Sequence, residues 1–90
     1  MPTLRIPTPL RTYTDGQPEI SVKGDTVFEV LDNLVSNYPA IQPHLFNETG
    51  QLRPFVNLYL GEENVRDLNG LQTQIMENDR LLLIPSIAGG

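Results

Sequence analysis

Only one stretch of the chain carries a sustained helical repeat. Val27, Val30, Leu31, Leu34, Val35 and Tyr38 recur at steps of three and four, which lines a single face of a helix with apolar side chains. Thr26-Val27-Phe28-Glu29 has the spacing of a capping box: the Thr26 hydroxyl is placed to accept from the backbone N–H of Glu29, and the Glu29 carboxylate to reach back. Pro39 ends the repeat because it cannot continue the backbone hydrogen bonds. One amphipathic helix cannot bury its own apolar face, so the remainder of the chain has to supply the surface it packs on. With 90 residues, 39% of them apolar, that surface belongs to one domain with one core. A chain of this size buries only somewhat more than ~60% of the surface its unfolded form exposes, which leaves little room for an internal cofactor cavity.

The flanking segments read as strands. Thr3 to Ile6 is short and β-prone, and Pro7 and Pro9 then remove backbone donors and end it. Asp15-Gly16 suits a tight reversal because both residues tolerate positive φ, and Glu19 to Lys23 alternates polar residues with Ile20 and Val22, so residues 3–23 are expected to form a hairpin. After the helix, Ala40 to Gly50 has Pro43, Leu45 and Phe46 without a period, which reads as a turn of helix or a loop pinned by apolar anchors. Phe55 to Leu60 alternates strictly, with Val56, Leu58 and Leu60 on one face and Phe55, Asn57 and Tyr59 on the other. Residues 61–79 are polar apart from single apolar residues such as Val65, Leu68, Leu71 and Ile75, as short edge structure would be. Leu81 to Ile84 is an unbroken apolar run, too short for a helix and fit for an inner strand from Arg80 to Pro85. The order strand, strand, helix, strand, edge elements, strand implies an α+β fold in which a mixed sheet packs on one main helix. The helix and middle strands supply the crossover that lets the last strand lie parallel beside the first. This is the β-grasp (ubiquitin-like) arrangement, expected over residues 1–85, with residues 86–90 as a flexible C-terminal tail.

Several function classes are disfavoured. Eleven Asp and Glu against six Lys and Arg give a net charge of −5, the wrong sign for a surface that follows nucleic acid or anionic lipid. No cysteine is present, so disulfides, thiolate metal sites and cysteine nucleophiles are excluded, which suits a reducing cytoplasm. The N-terminus has no apolar core of the signal-peptide kind and no stretch approaches the ~20 apolar residues of a membrane span. On that reading Asn47-Glu48-Thr49 is a chance glycosylation tripeptide. The single histidine, His44, lacks co-ligands and reads as a solvated loop residue, and no metal site is expected. Glu62-Glu63 falls in a turn, while Asp25, Glu29 and Asp32 follow the start and outer side of the helix, where they favour its dipole and solubility rather than acid–base catalysis.

Chemistry is left with the end of the chain. At ~7% glycine usage a terminal Gly-Gly arises by chance about once in two hundred chains, a modest signal strengthened by its place directly after an apolar strand and the short leader Pro85 to Ala88. Glycines thread a tunnel that admits only backbone, and five residues beyond Pro85 reach ~15–18 Å, far enough to enter another protein's active site. Strand parity also marks a gripping surface. If Val56, Leu58, Leu60, Leu81 and Leu83 face the helix, then Phe55, Tyr59, Leu82 and Ile84 face away and form a partner patch on the strand that leads into the tail. The competing expectation is that the segment from Ala40 to Arg53 folds over that face and buries it with Leu45 and Phe46.

The run from Arg53 to Arg66, RPFVNLYLGEENVR, and the ending from Asn78 to Gly90, NDRLLLIPSIAGG, resemble the ThiS/MoaD family of ubiquitin-like sulfur carriers over nearly the whole chain. Ile6 to Arg11 with Thr14 to Gln17 look most like the CysO-type carriers of cysteine biosynthesis. The resemblance implies that the Gly90 carboxylate is adenylated by an E1-like enzyme of the ThiF/MoeB type, using ATP, and then converted to a thiocarboxylate. Gly89, Ala88 and Ile87 would then enter the partner's site, and the patch that strand parity marks, Ile84, Leu82, Tyr59 and Phe55, would be gripped beside it. The sulfur acceptor would be a pyridoxal-phosphate-dependent cysteine synthase, followed by a JAMM-type metallopeptidase, with no cofactor bound by the carrier, which is a cosubstrate and not an enzyme. Thiamin-pathway carriers are usually shorter, so the segment from Ala40 to Arg53 argues against them. A molybdopterin-synthase small subunit (MoaD-like) and a ubiquitin-like modifier conjugated through Gly90 stay open, and Lys23 is the one lysine at which copies of the chain could be joined.

Overall fold

The helix forms where its repeat and cap place it. In the computed structural model, which describes residues 1–85, α1 runs Val27–Asn37 and the Thr26 hydroxyl accepts from the Glu29 N–H at 3.2 Å. The Glu29 carboxylate reaches back one residue further than a standard box, to the N–H of Asp25 at 3.1 Å. Val27, Val30, Leu31 and Leu34 are fully buried, and Val35 and Tyr38 pack against them partly covered. Each fully covered side chain contributes ~1.5–3 kcal/mol, far more than the few tenths that helix propensity decides per residue.

The sheet beneath it has β1 (Thr3–Arg5), β2 (Glu19–Ser21), β3 (Val56–Leu60), β4 (Glu63–Asn64) and β5 (Arg80–Pro85) in the order β2-β1-β5-β3-β4. β5 lies at the centre, parallel to β1 and antiparallel to β3, so the expected β-grasp order is met. Leu4, Val56, Leu58, Leu81 and Leu83 point from the sheet into the core under α1. Leu60 is only partly covered at the rim.

The N-terminal hairpin is present but looser than a tight reversal. β1 and β2 pair antiparallel, Leu4 opposite Ile20, and the ladder continues past the strand ends through Ile6 N–H to Pro18 O at 2.8 Å and Val22 N–H to Pro2 O at 2.9 Å. Between them Thr8–Tyr13 forms a 3-10 turn, which proline favours early because its φ is preset and no donor is needed there. The turn buries Leu10. Asp15 (φ 56°) and Gly16 (φ 78°) adopt the positive φ expected of them, and the buried Thr14 hydroxyl donates to the carbonyls of Arg11 and Gln17.

The segment after α1 forms a 3-10 turn, Pro39–Ile41, and a short α2, Gln42–Leu45. Ile41, Leu45 and Phe46 are buried in the same core as α1. The excursion therefore spends its apolar residues on the helix side of the sheet, and the competing expectation that it covers the outer face is not met. Arg53 and Arg66 hold its return by donating to backbone carbonyls, Arg53 Nε to Pro43 O at 2.8 Å and Arg66 to Arg53 O and Val56 O at 2.7 Å each.

Candidate functional site

β5 is the central strand, and the described residues end on it at Pro85, opposite Val56. Ile87, Ala88, Gly89 and Gly90, and the expected mobility of residues 86–90, lie outside the described residues. What the fold positions is the surface around the end of β5.

That surface is the outer face of the sheet. Directly paired residues point to the same side, so the register assembles Glu19, Arg5, Leu82, Tyr59 and Asn64 in one row across all five strands, flanked by Thr3 beside Arg80 and by Asn57 beside Ile84. Tyr59 and Leu82 are half-buried and Ile84 is 38% exposed, while their neighbours Leu81 and Leu83 are 1% and 0% exposed. The parity expected for β5 and for Tyr59 is met. Phe55 requires a correction: β3 begins at Val56, and Phe55 sits in the preceding turn, where alternation no longer sets direction and the ring packs partly against the core. The outward apolar set is Leu82, Ile84 and Tyr59.

Two residues of this face escaped the pattern reading. Arg5 and Arg80 flank Leu82 and line a shallow groove of about 220 Å³ with Thr3 and Glu19, and their guanidinium groups have no hydrogen bond or ion pair among the described residues. Parity was sufficient to find them, since an inward Leu4 and Leu81 put Arg5 and Arg80 outside. Unpaired guanidinium groups beside an apolar patch match a partner with carboxylates around an apolar anchor.

His44, expected to be simply solvated, is exposed yet stacks on Tyr13 with ring centroids 4.2 Å apart. Among the described residues no group of His, Asp and Glu is placed to hold a metal ion, and no helix is long and apolar enough to cross a membrane.

A small mixed sheet clasping one helix, with β5 at its centre between β1 and β3, defines a ubiquitin-like β-grasp protein. Residues 4–90 match the ThiS family, and the chain belongs to it. It is 41% identical over 90 residues to the sulfur carrier protein CysO of Mycobacterium tuberculosis (strain ATCC 25618 / H37Rv), covering 98% of this chain and 97% of that one. It is 32% identical over 78 residues to small archaeal modifier protein 3 of Haloferax volcanii, covering 83% and 84% of the two chains. Among solved structures it superposes on a chain of the Amycolatopsis orientalis BexX/CysO complex with a TM-score of 0.91, 38% identity and full coverage of both chains.

Proposed function

We propose that this protein is a sulfur carrier of cysteine biosynthesis, with Gly90 as the point of attachment. The observation that carries the reading is 41% identity over 90 residues to a protein named a sulfur carrier, in a chain whose sequence after the central strand reads Ser86-Ile87-Ala88-Gly89-Gly90. A carboxylate is a poor electrophile. An E1-like enzyme overcomes this by letting the Gly90 carboxylate oxygen attack the α-phosphorus of ATP, which expels pyrophosphate and leaves an acyl-adenylate. Sulfide then adds to the carbonyl carbon and AMP departs with the bridging oxygen, leaving a thiocarboxylate. The acceptor is a pyridoxal-phosphate-dependent synthase whose bound aminoacrylate takes the sulfur nucleophile at its β-carbon. An acyl shift to the amine makes an amide, which a zinc peptidase of the JAMM type hydrolyses to free cysteine and restore Gly90.

On this reading the carrier binds no cofactor and is consumed and regenerated as a cosubstrate in the cytoplasm. Tyr59, Leu82 and Ile84 form the surface the activating enzyme holds, with Gly89, Ala88 and Ile87 entering its channel. A reconstitution tests the pathway: thiocarboxylated protein, the synthase with its aminoacrylate, and the peptidase should release free cysteine in proportion to carrier. Release of sulfur only to a molybdopterin-synthase large subunit would assign the alternative acceptor. The similarity to an archaeal modifier favours a second reading, in which the same activated carboxylate is attacked by a lysine amine; an isopeptide-linked product in the same mixture would reveal it.

A further inference from the structure

The side of the domain opposite the outer sheet face carries a second apolar opening. Phe28, Asp32 and Val35, spaced four and three residues apart, form one stripe along α1, and Gln42, Phe46 and Gly50 of the following segment face it across a groove of about 200 Å³. Phe28 is 44% exposed and is the one aromatic among the exposed large apolar side chains of the described residues. It points away from the core that Val27, Val30 and Leu31 fill, so the fold gains little from a ring at that position.

The far wall is held in shape. Asn47 Oδ1 accepts from the backbone N–H groups of Thr49 at 3.0 Å and Gln51 at 2.9 Å and from the Thr49 hydroxyl at 2.8 Å, and Gly50 takes a φ of +81° to close the turn. This gives the Asn47-Glu48-Thr49 tripeptide a structural use, because Asn side chains cap such turns. The wall is therefore formed before any partner arrives, which lowers the ordering cost of docking.

Charge selects the partner. Asp32 lines the groove, and from Gly24 to Leu52 the chain adds Asp25, Glu29 and Glu48 and no Lys or Arg; Lys23 and Arg53 bound that stretch, and Arg53 has its Nε held by the Pro43 carbonyl. The sheet face differs, carrying Arg5 and Arg80 beside Glu19, with neither guanidinium paired among the described residues. We propose that the α1 groove is a second docking surface, which takes a basic polypeptide segment that inserts one large apolar side chain between Phe28 and Phe46. The domain then offers an acidic groove and a sheet face bearing two arginines to different proteins, and a partner on the groove leaves the sheet face open.

An NMR titration of the isotope-labelled full chain tests this with three synthetic peptides, KRFLRK, KRSGRK and EDFLDE. KRFLRK should move the backbone resonances of Phe28, Asp32, Val35, Phe46 and Gly50 saturably, while the other two should not. Asp32→Lys and Phe28→Ser should each weaken KRFLRK by roughly tenfold, with circular dichroism and melting unchanged because both positions are exposed. Equal shifts with KRSGRK would reduce the effect to general attraction between opposite charges, and equal shifts with EDFLDE would remove the charge argument; either overturns the proposal. So would shifts centred on Leu82 and Ile84, or none at millimolar peptide. The proposal is independent of sulfur chemistry: Asp32→Lys should still accept sulfur at Gly90, so failure of that reaction in the unaltered protein would count against the carrier reading alone.

Discussion

Leu83 and Ile84 are neighbours in β5 with opposite surroundings, and replacing each by alanine should separate folding from partner binding. Leu83 is 0% exposed, opposite Leu58 in the register and inside the core under α1. Its truncation removes buried carbons and leaves a cavity that the packed sheet only partly closes, a loss of about 2–5 kcal/mol. For a domain of this size each kcal/mol moves the melting temperature by ~4–8 °C, so Leu83→Ala should melt roughly 8–40 °C lower. Ile84 is 38% exposed on the outer face opposite Asn57, where no second layer among the described residues encloses a cavity, and Ile84→Ala should cost at most about 1–2 kcal/mol. Thermal unfolding by circular dichroism reads the fold, and calorimetric titration with the activating enzyme reads binding. Ile84→Ala should keep most of its stability yet bind more weakly, while Leu83→Ala, below its lowered melting point, should bind as the parent does. Equal destabilisation by the two substitutions would refute the inward and outward assignment of β5, and unchanged binding by Ile84→Ala would move the interface elsewhere.

Tyr59→Asp, on the same face beside Leu82, should weaken binding to the activating enzyme by about 1–3 kcal/mol with the melting profile retained; titration calorimetry on the folded variant measures it. Thr26→Ala removes the hydroxyl that accepts from Glu29 N–H and should cost about 1 kcal/mol in urea unfolding, with little change in the slope against denaturant. Gly24→Ala should cost about 1–3 kcal/mol in the same assay, because its Cβ would stand 2.7 Å from the backbone nitrogen of Val30, an atom that cannot move without shifting α1. A neutral effect there would mean that the β2 to α1 connection has slack that the packing does not suggest.

Much of this architecture was readable from side-chain periods. The 3.6-residue repeat and Thr26 cap define α1, and the two-residue alternation of Val56, Leu58 and Leu60 with Leu81 and Leu83 defines the inner face of the sheet, because burial on one side forces such patterns. Features without a period were not readable. The 3-10 turn at Thr8–Tyr13 is too short to repeat, so its prolines looked only like the end of a strand. Phe55 was assigned by extending an alternation one residue past where pairing begins. The stacking of His44 on Tyr13 and the groove between Phe28 and Phe46 depend on segments distant in sequence meeting in space. The proposed attachment point at Gly90 rests on residue identity and position alone, because it lies outside the described residues.

Intact-protein mass spectrometry tests the carrier role most directly. The full chain is incubated with ATP, an E1-like enzyme of the ThiF/MoeB type and a sulfide source, beside a variant lacking Gly90 whose melting profile matches the parent. The account predicts that the full chain gains the mass of one oxygen exchanged for sulfur, that fragmentation places the change on Gly90, and that the shortened chain stays unmodified. Sulfur carried by the shortened chain, or located at any residue other than Gly90, would contradict it.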